Sequence, residues 1–161
     1  MSTNDYIAGL MKRKPGELGL LRTHAGQGLD ASVDGFDLFS GLWWPLRQKN
    51  AQAPRRDVAW LIAKLYAFCP IEHSPGDTLV HQLQRCQPNG TVERERFRQR
   101  FDRMLMQPLS NIEEPLRWAL DQVAASGNGL DWVKLTDDLS IWERETTRLR
   151  WAEEFLENEG G

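Results

Sequence analysis

Apolar residues recur at spacings of three and four along most of this chain, and this periodicity is the feature that most constrains its fold. Such spacing places apolar side chains on one face of an α-helix, whereas a half-buried strand needs strict alternation. No alternating run is long enough to form a strand, and Pro, Gly and Asn separate the periodic segments. The sequence therefore predicts an all-α protein, a bundle of about eight helices.

The most apolar segment, V-A-W-L-I-A-K-L-Y-A-F-C, follows Asp57 and ends at Pro70, so it is predicted as the central core helix. Four polar residues stand where helices should begin, and each is predicted to cap the helix that follows it. Gly127 is predicted to lie just past the end of a helix over 112–125. The four predicted caps are Asp57, Asp77, Thr91 and Asp131.

A chain of 161 residues is long enough to bury a core of its own. We expect a single all-α domain over 1–161, which can be divided into an N-terminal sub-bundle over 1–90 and a C-terminal one over 91–161. Further predictions are a helix over 36–44, a basic linker over 47–56, and an apolar stripe near the end of the chain formed by Leu149, Ala152 and Leu156.

The segment Val92–Leu105, V-E-R-E-R-F-R-Q-R-F-D-R-M-L, concentrates arginine on one predicted helix. On a helical wheel Arg96, Arg100 and Arg103 form one row, and Glu95 and Asp102 lie largely on another side. Two further arginines, Arg94 and Arg98, flank the apolar face and are better placed for packing or salt bridges. That apolar face is formed by Phe97, Phe101, Met104 and Leu105.

Arginine is favoured over lysine, with fifteen Arg against five Lys, although the formal net charge is -3. A guanidinium matches phosphate oxygens with two parallel hydrogen bonds, which suits a nucleic-acid backbone. The same geometry suits ion pairs and protein interfaces, and many charged helix faces are simply solvated. Nucleic-acid binding, with surface Trp stacking on bases, and a helical scaffold that binds acidic protein partners therefore both remain open.

No catalytic motif is visible: the sequence has no Walker-type glycine-rich loop, no nucleophile elbow and no His-Glu-x-x-His. Asp137 and Asp138 are neighbours on a predicted helix and point about 100° apart, so they cannot share an ion; Asp138 can pair with Lys134 instead. Cys69, His73, His81 and Cys86 are ligand types that zinc accepts, but their spacing matches no common zinc pattern. We predict a non-enzyme without cofactor or metal, with zinc binding as the weaker alternative.

Two cysteines and no apolar signal region predict a reducing compartment, and the cytoplasm is the default. No apolar run approaches the roughly 20 residues that span a bilayer. The sequence therefore predicts no membrane partner.

The C-terminal part of the chain contains its most specific motifs, L-D-W-V-K-L-T-D-D-L-S-I-W followed by R-L-R-W-A-E-E-F. With these motifs the chain resembles the CasB family, the small subunit of the type I-E CRISPR surveillance complex Cascade. G-E-L-G-L-L-R is similar to an early element of the family, and E-R-F-R-Q-R-F-D-R-M-L to its central arginine-rich helix. One departure is Gly76–Val80, where the family often has Leu-Gly-x-x-Leu-Ala. The matching segments are Leu130–Trp142, Arg148–Phe155, Gly16–Arg22 and Glu95–Leu105.

The resemblance implies a non-catalytic, all-helical subunit present in two copies per complex. It implies backbone and large Cascade subunits, a second copy of the chain, guide RNA and target DNA as partners, with the basic surface holding the R-loop and especially the displaced non-target strand. By position it points to Arg22, to Arg94, Arg96, Arg98, Arg100 and Arg103, and to Arg144 and Arg148; the grouping of basic residues adds Lys134.

Overall fold

The computed structural model describes residues 2–13, 15–23, 43 and 54–157. Its regular elements over these ranges are all helical, eight α-helices and one short 3-10 helix, Leu109–Asn111, and the predicted all-α class is confirmed. The α-helices are α1 (Ser2–Met11), α2 (Pro15–Arg22), α3 (Arg56–Phe68), α4 (Leu79–Arg85), α5 (Thr91–Leu105), α6 (Glu113–Ser126), α7 (Trp132–Ser140) and α8 (Glu145–Glu157).

The chain divides into two compact units, Met1–Pro70 and Ile71–Gly161. The boundary between the two ranges falls just after α3, at the proline that ends the most apolar segment. The single domain over 1–161 and its sub-bundles over 1–90 and 91–161 stay predictions.

In the first unit α3 is the core helix that the sequence predicts, because residues 58–67 are all buried. Helix α2 packs against α3. The phenol of Tyr6 in α1 is fully buried and donates a hydrogen bond of 2.5 Å to the carbonyl oxygen of Ala59. Burial removes the hydroxyl from water, which disfavours the charged phenolate and raises the pKa of Tyr6 far above its ordinary value.

In the second unit α4 and α5 both pack against α6 and α8. Aromatic rings fill the contact between α5 and α8: the centroids of Phe101 and Phe155 lie 4.2 Å apart in a stacked pair, and Phe97 lies 6.5 Å from the same ring. Trp142 and Trp151 meet edge to face at 4.9 Å. Stacked and edge-to-face rings are both common in protein cores, and the two phenylalanine pairs join α8 to α5 while the tryptophan pair joins it to the residues that follow α7.

Two of the predicted helix-end signals are confirmed. The side chain of Asp131 accepts the backbone N–H of Lys134 at 2.9 Å and caps α7. Gly127 follows the end of α6 with φ of 76°, the left-handed conformation that glycine adopts without a Cβ penalty.

Three predicted caps were wrong by one or two residues. The capping positions are Arg55 for α3, Thr78 for α4 and Gly90 for α5, so Asp57 and Thr91 lie inside the first turns of their helices. At α4 the competition is visible, because the Asp77 carboxylate already accepts the Ser74 hydroxyl at 2.5 Å. The Thr78 hydroxyl instead accepts the backbone N–H of His81, the third residue of that helix, at 3.3 Å.

The predicted apolar stripe of α8 was also wrong. Leu149 and Leu156 are 53% and 57% exposed, and Ala152 is half-buried. The buried face is set by Trp151 and Phe155 instead, one residue away along the chain and therefore rotated by about 100°. The larger aromatic rings bury more apolar surface than the leucines: Phe155 packs on the rings of α5, and Trp151 packs on Trp142.

The helix predicted over 36–44 lies outside the described residues except for Trp43, which is helical. The basic linker predicted over 47–56 is described only from residue 54, and its last residue, Arg56, already begins α3.

Candidate nucleic-acid interface

Helix α5 docks through the apolar face that the sequence predicts. Phe97, Phe101 and Met104 are buried, and Leu105 is half-buried at the edge of the contact. The rings of Phe97 and Phe101 pack against Phe155 of α8. Because this face packs against both α6 and α8, the opposite face of α5 is exposed to solvent.

The arginines of α5 separate into two sets by exposure. Arg96, Arg100 and Arg103 are exposed along one row, whereas Arg94 and Arg98 are half-buried at the sides of the apolar face. This is the division that the helical wheel predicts, with the three-residue row toward solvent. We call Arg96, Arg100 and Arg103 the arginine row.

The acidic residues that neighbour the arginine row in the sequence do not form ion pairs with it. Glu95 and Asp102 are exposed, but neither forms a salt bridge with Arg96 or Arg103 in the described part of the chain. The row therefore keeps a local positive charge although the whole chain is acidic. Exposed guanidinium groups at successive helical turns can follow the phosphates of an extended strand.

One member of the row contacts an aromatic ring from the next helix. The guanidinium carbon of Arg100 lies 4.9 Å from the ring centroid of Trp118 in α6, within the range of a cation–π contact. The indole also packs against Phe97, with centroids 5.1 Å apart. Trp118 was not predicted from the sequence, because only the packing of α6 on α5 brings it to Arg100. The available signal was its position beside the apolar stripe of its own helix.

One further predicted binding residue, Lys134, is already engaged in the structure. Lys134 lies 3.5 Å from the carboxylate of Asp138, which confirms the predicted pair. Arg150 also binds this carboxylate, and the indole N–H of Trp151 donates to it at 2.9 Å. Asp138 is only 4% exposed; it ties α7 to α8, and its charge offsets one of the two positive charges beside it.

The remaining predicted residues lie on separate elements. Arg22 is exposed in the last turn of α2, in the first unit. Arg144 is exposed in the turn between α7 and α8, and Arg148 is half-buried in α8, the helix that packs against α5. Their part in binding stays a prediction.

The cysteine and histidine set is not gathered into a cluster. In the described part of the chain no three His, Cys, Asp or Glu side chains lie where they could hold a metal ion together. The Nδ1 atom of His73 accepts the backbone N–H of Trp132 at 3.2 Å, which gives this ring a structural partner. Neither Cys69 nor Cys86 is part of a disulfide in the described part of the chain.

Among the residues that the structure describes, no helix is both long enough and apolar enough to cross a membrane.

These features define an all-helical protein that presents arginine on one exposed helix face. The family model described as CRISPR-associated protein Cse2 matches residues 17–156, and the chain belongs to this family. The CRISPR-associated protein Cse2 of Thermus thermophilus is 35% identical to it over 104 residues. That match covers 62% of this chain and 56% of the relative's own length.

Solved structures confirm the fold. CasB from M. ruber superposes with a TM-score of 0.74 at 19% identity, covering 99% of this chain and 95% of that one. CasB from Thermobifida fusca gives 0.70 at 19% identity, with coverage of 96% and 93%. A Cse2-family protein from Thermus thermophilus gives 0.69 at 23% identity, with coverage of 98% and 99%.

Proposed function

We propose that this chain is the non-catalytic small subunit of a type I-E CRISPR Cascade complex. In this role it binds the nucleic-acid backbone without sequence preference and stabilises the R-loop, above all the displaced non-target strand. Its partners are the backbone and large subunits, a second copy of itself, the guide RNA and the target DNA. The proposal places the chain in the cytoplasm.

The observation that carries the proposal is the arginine row on α5. Three guanidinium groups stand exposed on a helix whose opposite face is anchored by buried aromatic rings. A rigid base reduces the entropy lost when the groups bind phosphates, and each contact releases counterions from the strand. Membership of the Cse2 family supports the same function.

The energetics of R-loops explain why a few phosphate contacts are sufficient. The guide–target duplex is about as stable as the DNA duplex that it replaces, so small contributions from protein contacts decide the balance. A subunit that holds the displaced strand slows the re-annealing of the DNA. No chemical step is required of it, and cleavage belongs to a recruited nuclease.

The test is to assemble the complex with Arg96→Glu, Arg100→Glu and Arg103→Glu combined in this subunit. We expect normal assembly and an R-loop lifetime shortened by about tenfold or more, because attraction to phosphate becomes repulsion. Glu95→Gln with Asp102→Asn, on another side of the same helix, controls for disturbance of α5 by substitution as such and should not shorten the lifetime. An unchanged lifetime in the triple variant would contradict the proposal.

The alternative function is a helical scaffold whose arginines bind acidic protein partners. It predicts the opposite pattern for the same triple variant, with lost assembly and unchanged affinity of the isolated chain for single-stranded DNA. Measuring assembly and DNA binding separately distinguishes the two functions.

A further inference from the structure

A cavity of about 290 Å³ opens between the C-terminal half of α5 and the start of α6. Its volume is at the lower end of the range for small-molecule sites, which suits one small ligand rather than a folded partner. Two members of the arginine row, Arg100 and Arg103, line it. The row is therefore not a flat surface, because its last two residues border a cavity in the protein.

One wall of the cavity is a stacking platform. Trp118 lines the cavity together with Arg100, whose guanidinium carbon lies 4.9 Å from the indole centroid. The indole is braced by Phe97, which is buried and packs in turn near Phe155. Nucleobases stack both on aromatic rings and on guanidinium planes, and a braced platform loses little freedom when a base arrives.

The polar groups of the cavity have mixed character. The two guanidinium groups only donate hydrogen bonds, the side-chain amides of Gln107 and Asn111 both donate and accept, and the carboxylate of Glu114 only accepts when ionised. A bare phosphate would be repelled by Glu114, and a simple cation by the two arginines. A nucleotide satisfies both, because it carries a phosphate at one end and hydrogen-bond donors on the edge of its base.

We propose that this cavity binds one unpaired nucleotide of a single DNA strand. Arg103 and Arg100 hold the phosphate, the base lies against the Arg100–Trp118 platform, and Glu114 accepts a hydrogen bond from an exocyclic amino group of the base. Acceptance by a carboxylate from the N4 amino group of cytosine is an established pairing, whereas thymine has no amino group. This inference rests on the proposed function and adds a base preference to otherwise non-specific backbone binding.

The experiment measures fluorescence anisotropy of labelled oligo-dC and oligo-dT of about 12 nucleotides with the full chain at low salt and neutral pH. We expect the wild type to bind oligo-dC about fivefold more tightly, the lower end of the discrimination given by a base-edge contact. Glu114→Ala, which removes the acceptor altogether, should remove most of this preference. Glu114 is exposed, so the substitution leaves the core intact.

The matched control is Asp121→Ala, which removes a carboxylate with the same charge two turns further along α6 and outside the cavity. It should keep the preference for oligo-dC. Equal affinity of the wild type for the two oligonucleotides, or an unchanged preference in Glu114→Ala, overturns the nucleotide site and leaves the proposed function standing. Failure of the wild type to bind either oligonucleotide overturns both.

Discussion

The cations of α5 and those around Asp138 have the same charge but different surroundings. Arg150 and Lys134 converge on a carboxylate that is 4% exposed, whereas Arg96, Arg100 and Arg103 stand in the solvent along one helix face. Around Asp138 the positive charge serves the packing of α7 against α8. On α5 it remains available to a partner.

The comparison shows that the position of the carboxylate decides the role of the cation. Asp138 is buried and must keep its partners, because an ionised carboxylate without them is expensive in a dry environment. Glu95 and Asp102 are exposed and remain hydrated without pairing with the row. A count of basic residues treats both regions alike and cannot make this distinction.

The largest effect is expected for Asp138→Ala. It removes the acceptor of the buried Trp151 N–H and the partner of Arg150, so the free energy of unfolding should fall by about 2 kcal/mol. Urea unfolding followed by circular dichroism measures the loss. Asp137→Ala, at the exposed neighbouring position, should cost less than about 1 kcal/mol. Equal losses in the two variants would contradict the structural role of Asp138.

Tyr6 extends the comparison to a buried group that is neutral at ordinary pH. Tyr6→Phe removes its hydrogen bond to Ala59 and should cost about 1 kcal/mol at neutral pH. Above pH 10 the unfolded chain releases this phenol proton while the folded chain keeps it, so the stability of the wild type falls as pH rises, by up to about 1.4 kcal/mol per unit.

The Tyr6→Phe variant lacks this contribution and should lose stability less steeply in alkali, although Tyr66, whose pKa is also raised by burial, is still present. The stability difference between wild type and variant should therefore shrink above pH 10. Unfolding curves measured from neutral pH into alkali give the result. Two parallel stability profiles would show that the Tyr6 phenol does not titrate differently in the two states.

A smaller difference in the free energy of unfolding is expected between single arginine substitutions in the two regions, Arg150→Gln beside Asp138 and Arg96→Gln on α5. Arg150→Gln should lower the free energy of unfolding by at most about 1 kcal/mol, since its side chain is 43% exposed and solvent screens the pair. Arg96→Gln should change it by less than about 0.5 kcal/mol. Thermal or urea unfolding of the two variants side by side makes the comparison, and a larger loss for Arg96→Gln would reverse the assigned roles.

Local sequence signals predicted α5 well. Its buried and exposed positions follow a single helical period, and no second apolar stripe competes with Phe97, Phe101 and Met104. In α8 two stripes compete, one through Leu149 and Leu156 and one through Trp151 and Phe155. The second stripe is buried because Phe155 packs on the rings of α5 and Trp151 packs on Trp142, and that information lies in the tertiary packing rather than in the segment itself.

The cavity beside α5 could not be predicted from the sequence, because it also depends on tertiary packing. Trp118 and Glu114 belong to a helix with an ordinary amphipathic pattern, and they lie near Arg100 only because α6 packs against α5. The observed cap of α4 differs from the predicted one for a more local reason. Asp77 and Thr78 are adjacent and both can cap a helix, but the Asp77 carboxylate accepts a hydrogen bond from Ser74, and Thr78 caps the helix instead.

The most direct test of the role of the arginine row is the salt dependence of single-stranded DNA binding by the isolated chain. With Arg96→Gln, Arg100→Gln and Arg103→Gln combined, the slope of the logarithm of the binding constant against the logarithm of salt concentration should decrease in magnitude by about 2, because three phosphate contacts are lost. Arg150→Gln, which also removes a cation, should keep the wild-type slope. An unchanged slope in the triple variant would contradict the assignment of the row as the phosphate-binding surface.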